Sequence, residues 1–211
     1  MKIDYKKTMK ELYLPPVYPT LIDVPAMKFL QIQGCGNPNE PNGEYQQAVG
    51  LLYAYAFTIK MMLKQQPQQD DIFDYVVPPL EGLWWMQDEH DFNFQHKDQY
   101  CWISMIRQPD FVTIRHFETA KKQLLLKDSA KAVDKVRLAE FKEGLSLQCL
   151  HIGKYDDEPA TVLKINEYAR QNGLLFDFSA ERHHHEIYLS NPQRTAAERL
   201  KTIIRHPVKR D

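Results

Sequence analysis

The sequence predicts an α+β fold in which two modules join into one antiparallel sheet. The order strand, helix, strand, strand, helix occurs twice along the 211 residues. The second copy contains a strand with one apolar and one polar face, and such a strand has to bury its apolar side against other elements. We therefore expect helices on one face of the sheet and a ligand cleft on the other.

The composition is that of an ordinary globular protein, with 43% hydrophobic and 26% charged residues. The formal net charge is -1, so the chain lacks the strong basic surface that duplex binding requires. The first seven residues are charged, and no run of about eighteen apolar residues follows. We predict a cytoplasmic protein with a small-molecule ligand, no nucleic-acid partner and no membrane partner.

The three cysteines are far apart in the sequence, at Cys35, Cys101 and Cys149. An odd count without C-x-x-C spacing favours neither a disulfide framework nor a thiolate zinc site. We expect all three to be small buried hydrophobic residues.

The first part of the chain predicts an arm, a strand and the longest helix. Residues 1–23 form the arm, where Pro15 and Pro16 forbid all but a short leading helix. Alternating residues predict a strand over 26–33, and turn residues end it. Apolar residues at helical spacing then predict a helix from about Asn42 to Gln65.

Two strands and a helix complete the first module. Residues 75–86 and 99–107 are rich in Val, Ile, Trp and Tyr, as strands are. Asp110 can cap the next helix, whose apolar stripe ends near Lys127. A charged connection then leads to Gly144.

The second module repeats this order. Residues 145–152 predict a strand, and Asp157 with Pro159 opens a helix that Asn172-Gly173 closes. Strands follow over 174–178 and 184–190. The capping-box pattern from Thr195 to Glu198 predicts a last helix with Leu200, Ile203 and Ile204 inward and its basic residues, Arg205 among them, in solvent.

The strand over 184–190 is the candidate for the floor of the site. His184, Glu186 and Tyr188 share one face, and Ile187 and Leu189 point to the other, which we expect to meet the helices. A carboxylate, an imidazole and a phenol on a rigid strand can orient a ligand. The alternative is an ordinary antiparallel strand whose polar face is simply solvated.

The run His183-His184-His185 does not predict a metal site. Consecutive side chains on a strand point to opposite faces, so the three imidazoles cannot converge on one ion. We predict neither a metal nor another cofactor.

A second polar strand comes from the first module, in Leu80-Glu81-Gly82-Leu83-Trp84-Trp85. Two adjacent tryptophans cannot place both rings on one face, so one packs inward while the other meets the cleft. Glu81 is a further candidate acid or base.

These stretches, together with Gly34-Cys35-Gly36-Asn37-Pro38-Asn39, residues 143–155 and His184 to Ser190, resemble the GyrI-like small-molecule-binding family over nearly the whole chain. The resemblance implies one domain, 1–211, built from two strand-helix-strand-strand (SHS2) modules about a pseudo-twofold axis. We place the repeats at about 24–127 and 144–205. Glu186 matches the acidic residue that meets planar, often cationic drugs in this family.

The resemblance also implies a function. Since no helix-turn-helix pattern precedes the predicted fold, the chain resembles less the drug-responsive regulators of the family than the standalone branch that hydrolyses cyclopropanoid DNA-alkylating natural products. That activity is a form of xenobiotic protection and uses an aromatic cage. The residues available for the cage are Tyr53, Tyr55, Trp84, Trp85, Trp102, Phe176 and Tyr188. The alternatives are a drug-binding protein that only sequesters its ligand and a gyrase-inhibitor-like protein.

For hydrolysis, water must attack a strained cyclopropyl carbon while negative charge develops on the conjugated carbonyl oxygen. We expect Glu186 to act as general base and Tyr188 to stabilise the developing charge, with Glu81 as the alternative acid or base and His184 among the ligand-binding residues. Burial among aromatic rings is expected to raise the pKa of Glu186.

Overall fold

The computed structural model describes residues 2–65, 74–87, 96–129 and 131–210. Within these ranges the helices are α1 (Tyr5–Thr8), α2 (Lys10–Tyr13), α3 (Glu44–Gln65), α4 (Ile114–Lys127) and α5 (Glu158–Gln171). The strands are β1 (Thr20–Cys35), β2 (Leu80–Met86), β3 (Tyr100–Gln108), β4 (Arg137–Ile152), β5 (Leu174–Phe176), β6 (His184–Tyr188) and β7 (Lys201–Arg210).

The strands form one antiparallel sheet in the order β4-β1-β3-β2-β6-β7-β5. Because β4 also pairs with β7, six of the strands form a closed circuit of hydrogen bonding, which leaves few free strand edges. The predicted mixture of helices with an antiparallel sheet is confirmed. The pseudo-twofold relation and the repeat boundaries remain predictions. In the described part of the chain, no helix is long and apolar enough to cross a membrane.

Strands β1 and β4 are longer than predicted, at 16 residues each, because each pairs with two partners. The first half of β4 lies in the stretch that was expected to be a charged connection. Gly144 interrupts its alternation with a φ of 72°. As a result Glu143 and Gln148, five residues apart, both bond the Arg205 guanidinium.

The prediction of a last helix is wrong, because residues 201–210 form strand β7. The Thr195 to Glu198 pattern leads only to a 3₁₀ turn over Ala197–Arg199. β7 lies between β6 and β4 with both faces covered, so Ile203 and Ile204 pack into different clusters. A strand buried on both sides has continuous apolar residues, which sequence periodicity cannot distinguish from a buried helix. Arg205, expected in solvent, is 1% exposed.

The two faces of the sheet carry different layers. Helices α3, α4 and α5 pack on the face that includes Trp84, Trp102 and Ile204, which we call the long-helix face. Residues of α2 pack on the opposite face with Leu83 and Ile187, which we call the N-terminal face.

Glu186 pairs with Gly82 on β2 and with Ile204 on β7, so its side chain lies on the long-helix face. The expectation that the longer helices and Glu186 lie on opposite sides is therefore wrong. The polar cluster lies beside these helices, with the sheet as its floor.

Cys35 and Cys101 are directly opposite each other on β1 and β3 and form a disulfide. The expectation of three unpaired cysteines is wrong for these two, since strand pairing brings together residues 66 positions apart. Cys149 is free and buried, as predicted.

Candidate functional site

The centre of the candidate site is the Glu186 carboxylate, which is 8% exposed. Its Oε1 lies 3.0 Å from His184 Nε2, and its Oε2 accepts a hydrogen bond of 2.7 Å from the Tyr188 hydroxyl. All three residues are on β6, where alternate side chains share a face. The sequence therefore correctly grouped His184, Glu186 and Tyr188.

Gly82 makes room for a contact between the two polar strands. It is opposite Glu186 in the ladder, and a Cβ at this position would lie 2.6 Å from Trp84 Nε1. The Trp84 indole instead crosses the glycine and donates a hydrogen bond of 3.1 Å to the Tyr188 hydroxyl. The Tyr188 oxygen thus accepts from Trp84 while its hydrogen is donated to Glu186.

Aromatic rings from α3, β2, β3, β6 and the turn before α5 lie around this hydrogen-bonded group. The Tyr45 ring, on α3, lies 5.2 Å from the rings of both Trp84 and Trp102, centroid to centroid. The Tyr155 ring lies 5.8 Å from that of Tyr188 and is 36% exposed. Trp84 and Trp102 are buried, so the partly exposed Tyr155, Tyr45 and Tyr188 are the rings on which a planar ligand could stack. We call Tyr45, Trp84, Tyr155 and Tyr188 the aromatic wall.

A second carboxyl group, Glu158, approaches Glu186 from the first turn of α5. Glu158 is 2% exposed, and its Oε1 has no hydrogen-bond partner among the described residues. Burial and the negative charge of Glu186 raise the pKa of Glu158 well above its usual range. Glu158 is therefore the member of the pair that holds a proton near neutral pH.

The opposite shift occurs at Glu186. Burial alone would raise its pKa, but the hydrogen bonds from His184 and Tyr188 outweigh burial and hold the pKa below its ordinary value. The expectation of a raised pKa at Glu186 is wrong for this reason. The pair combines an ionised acceptor with a protonated donor, which is the arrangement required for acid and base catalysis at one pH.

Glu158, His184 and Glu186 also offer one possible ligand atom each within 4.8 Å of one another. Two carboxylates and an imidazole suit several divalent ions. A cation there would have to displace the hydrogen that His184 Nε2 directs at Glu186. The absence of a metal remains a prediction.

Glu81 lies on the other face of the sheet, in a separate buried cluster. Its Oε2 is 3.1 Å from His185 Nε2, and His185 Nδ1 is 3.0 Å from Glu143 Oε1. Arg205 completes the cluster with a 3.1 Å ion pair to Glu143. The structure thus does not place Glu81 with Glu186, because odd and even residues of β2 face opposite ways.

The charges of this cluster support each other. Burial opposes protonation of His185, but Glu143 and Glu81 outweigh it and raise the His185 pKa to about 9. Burial likewise opposes ionisation of Glu143, but His185 and Arg205 lower its pKa to about 2. The cluster is therefore a structural ion network at neutral pH.

The other predicted cage residues are spread over the molecule. Trp85 stacks on His183 at 4.3 Å, and Trp102 is fully buried against Gly34. Tyr53 stacks on Phe57 along α3. Tyr55 is in the core, where its hydroxyl bonds the Val133 carbonyl, and Phe176 packs beside His206. Of the proposed cage, Trp84 and Tyr188 are in direct contact with the Glu186 group.

Sequence reasoning missed four residues of the site, namely Tyr45, Tyr155, Glu158 and His206. Tyr45 and Glu158 occupy the first turns of α3 and α5, the helices that follow the first strand of each predicted module. The sequence signal for these two residues was their similar place in the two predicted modules, and comparing the modules could have identified both. His206, whose Nε2 lies 2.7 Å from His184 Nδ1, was missed because its segment was predicted to be a helix.

Comparison with known proteins identifies the family of the chain. The family model of the GyrI-like small molecule binding domain matches residues 18–209. A search of curated proteins gave no match.

Solved structures from Listeria innocua are similar along the whole chain. An uncharacterized conserved protein is 43% identical with a TM-score of 0.91, and a hydrolase encoded by lin2189 is 42% identical with a TM-score of 0.88. Each alignment covers 99% of this chain and 100% of the other. The C-terminal domain of EcmrR shares the fold at 11% identity, with a TM-score of 0.56 over 92% of this chain and 98% of that domain. The chain therefore belongs to the GyrI-like small-molecule-binding domain family.

Proposed function

We propose that this protein binds planar aromatic compounds at the aromatic wall and hydrolyses cyclopropanoid DNA-alkylating electrophiles there, which would protect the cell from them. The observation that carries the proposal is a pair of buried carboxyl groups whose pKa values are shifted in opposite directions, lowered at Glu186 and raised at Glu158, beside the aromatic wall.

The pair has the two functions that hydrolysis of such a compound requires. Glu186 accepts a proton from a water molecule as the water oxygen bonds to the cyclopropyl carbon. The breaking carbon–carbon bond leaves its electrons on the conjugated dienone, whose oxygen becomes a phenolate. Glu158 gives its proton to that oxygen, so the product is a neutral phenol with a new alcohol.

Tyr188 has a different role in this scheme from the one the sequence suggested. Its hydrogen is donated to Glu186 and its oxygen accepts from Trp84, so it orients the base and is not free to donate to the substrate. In this scheme Glu158 is the proton donor, because burial and the charge of Glu186 raise its pKa and keep a proton on it. The hydrolase name carried by the lin2189 protein supports a catalytic role.

The experiment is a turnover count with excess substrate. The protein is incubated at about one-hundredth of the concentration of cyclopropyl-dienone compounds, and ring-opened products are quantified by mass spectrometry. We expect many product molecules per protein, and about a hundredfold fewer or less with Glu186→Gln. Tight binding with at most one product molecule per protein would instead show a sequestering protein.

A further inference from the structure

We infer that His151 is a positioning residue for this site, because it holds the turn that carries Tyr155 and the first turn of α5, which carries Glu158. The inference rests on the proposed function, in which Tyr155 offers a stacking surface and Glu158 donates the proton. His151 lies near the end of β4 and is 5% exposed. The turn that it holds comprises residues 153–157, and we call it the β4–α5 turn.

The His151 ring makes two contacts, which connect the β4–α5 turn to α5. Its Nε2 lies 2.9 Å from the carbonyl oxygen of Lys154, and its Nδ1 lies 2.9 Å from Thr161 Oγ1. A carbonyl oxygen only accepts, so Nε2 donates in either charge state of the ring. The Thr161 hydroxyl can accept as well as donate, so the second contact also forms in both charge states. One ring therefore joins the chain just before Tyr155 to the chain three residues after Glu158.

The backbone at Gly153 brings the turn back over this ring. Gly153 has a φ of 144°, a conformation that glycine adopts much more readily than other residues. A Cβ at this position would lie 3.4 Å from His151 Nε2, so the chain runs in contact with the imidazole. The Gly153 amide also donates a hydrogen bond of 3.0 Å to the Leu200 carbonyl, which fixes the start of the turn.

The middle of the turn depends on polar contacts. Residues 154–157 are exposed, so they bury little apolar surface. An ion pair of 2.9 Å joins Asp156 to Lys97, but the Asp156 side chain is 80% exposed, and an ion pair in solvent contributes little to stability. The buried ring of His151 is therefore the contact best able to hold the turn against the sheet.

Removal of the His151 ring would release the segment between its two partners. Both partner groups would then need water in its place, so we expect the turn to move outwards until water reaches them. The Tyr155 ring would leave that of Tyr188, and Glu158 would move away from Glu186. The first movement weakens the stacking of a planar compound, and the second weakens proton donation to it.

The test uses four variants of the full chain. His151→Leu removes both contacts and keeps an apolar side chain in the space, whereas His151→Gln keeps an amide that can donate to the Lys154 carbonyl. Thr161→Val removes the hydroxyl and keeps the shape of the side chain. Cys149→Ala is the control, since Cys149 lies on the same face of β4 and packs under α5 but bonds no group of the turn.

Two measurements follow the turn and the site. The nuclear Overhauser contact between the rings of Tyr155 and Tyr188 is recorded without ligand on tyrosine-labelled protein, and each ring is assigned by replacing that tyrosine with phenylalanine. Steady-state kinetics with the cyclopropyl-dienone compounds give KM and kcat separately. Thermal melts of every variant measure stability.

In His151→Leu we expect the ring contact to be lost, KM to rise about tenfold, as for the loss of one aromatic contact, and kcat to fall. His151→Gln and Thr161→Val should show smaller changes, and Cys149→Ala should keep both the ring contact and KM. In a Tyr155→Ala background, His151→Leu should raise KM no further, because the ring that His151 positions is already absent.

A retained ring contact in His151→Leu overturns the inference, and so does an equal rise of KM in the Tyr155→Ala background. A lower melting temperature with unchanged KM and kcat would show that His151 only stabilises the fold. If the wild type turns over no compound, the proposed function fails, and the ring contact alone decides this inference.

Discussion

Glu158 and Glu186 bring two buried carboxyl groups together from a helix N-terminus and the middle of a strand, 28 positions apart in the chain. Ionising both of these buried carboxyl groups would cost too much free energy, so one of them keeps its proton while the other is charged. His184 and Tyr188 donate to Glu186 and thereby decide which member is charged.

Glu186→Gln should therefore lower turnover by about a hundredfold or more, because the amide cannot accept the water proton. Binding of neutral planar compounds should be nearly unchanged, since the amide keeps the size of the side chain. Steady-state kinetics and fluorescence titration separate the two effects. Wild-type turnover in this variant would exclude Glu186 as the base.

The proton on Glu158 predicts a fall of kcat/KM at high pH. Activity needs Glu186 ionised and Glu158 protonated, so it should decline as pH rises through the raised pKa of Glu158 and as pH falls through the lowered pKa of Glu186. Glu158→Gln should lower the rate by about a hundredfold and remove the alkaline limb. Glu167→Gln, on the exposed side of the same helix, is the control. A retained alkaline limb in Glu158→Gln would assign that limb to another group.

Trp84→Phe tests the bond that holds Tyr188. Phenylalanine keeps a ring against Tyr45 but cannot donate to the Tyr188 hydroxyl, so we expect a loss of roughly fivefold to tenfold in kcat, as for one ordinary hydrogen bond. Trp85→Phe is the matched control, because Trp85 stacks on His183 away from Glu186. Equal losses in both variants would show that the indole hydrogen bond does not matter.

The ion network on the N-terminal face predicts a window of greatest stability. The contribution of His185 is complete below its ordinary pKa of 6.5 and is lost as pH rises through about 9. The contribution of Glu143 is complete above its ordinary pKa of 4.5 and is lost as pH falls through about 2. Urea unfolding should therefore give the highest free energy between about pH 4.5 and 6.5.

By pH 10 the loss attributable to His185 should be on the order of 3 kcal/mol. In His185→Gln this alkaline decline should be absent, while the protein is less stable than the wild type below about pH 9, because two carboxylates lose their cation there. A decline of the same size in His185→Gln would assign it to another group.

The disulfide predicts sensitivity to reductants. Reduction of Cys35–Cys101, or replacement of both by serine, should lower the free energy of unfolding by about 2 to 4 kcal/mol, as is typical for native disulfides. Cys149→Ala should keep the sensitivity, since Cys149 forms no disulfide. Denaturant titrations with and without dithiothreitol measure the difference, and equal midpoints for the wild type would contradict the bond.

The helices and strands whose apolar residues recur with a clear period could be predicted from the sequence. The helices α3 and α5, the polar strand β6 and the grouping of His184, Glu186 and Tyr188 all follow from spacing. β7 could not be recognised, because a strand covered on both faces has no alternation. The pairing of Glu158 with Glu186 and that of His185 with Glu81 could not be predicted either. They depend on strand register and on how α5 lies against the sheet.

The position of β7 has a consequence for biosynthesis. β7 fills the gap between β6 and β4, and its Arg205 bonds the Leu12 carbonyl, 193 residues earlier in the chain. While the ribosome is still making residues 1–200, the edges of β4 and β6 that later receive β7 have no partner, and Glu143 and the α2 segment lack the guanidinium. A nascent chain with two open strand edges can pair with other chains. We therefore expect ribosome-associated chaperones to bind it until β7 has emerged.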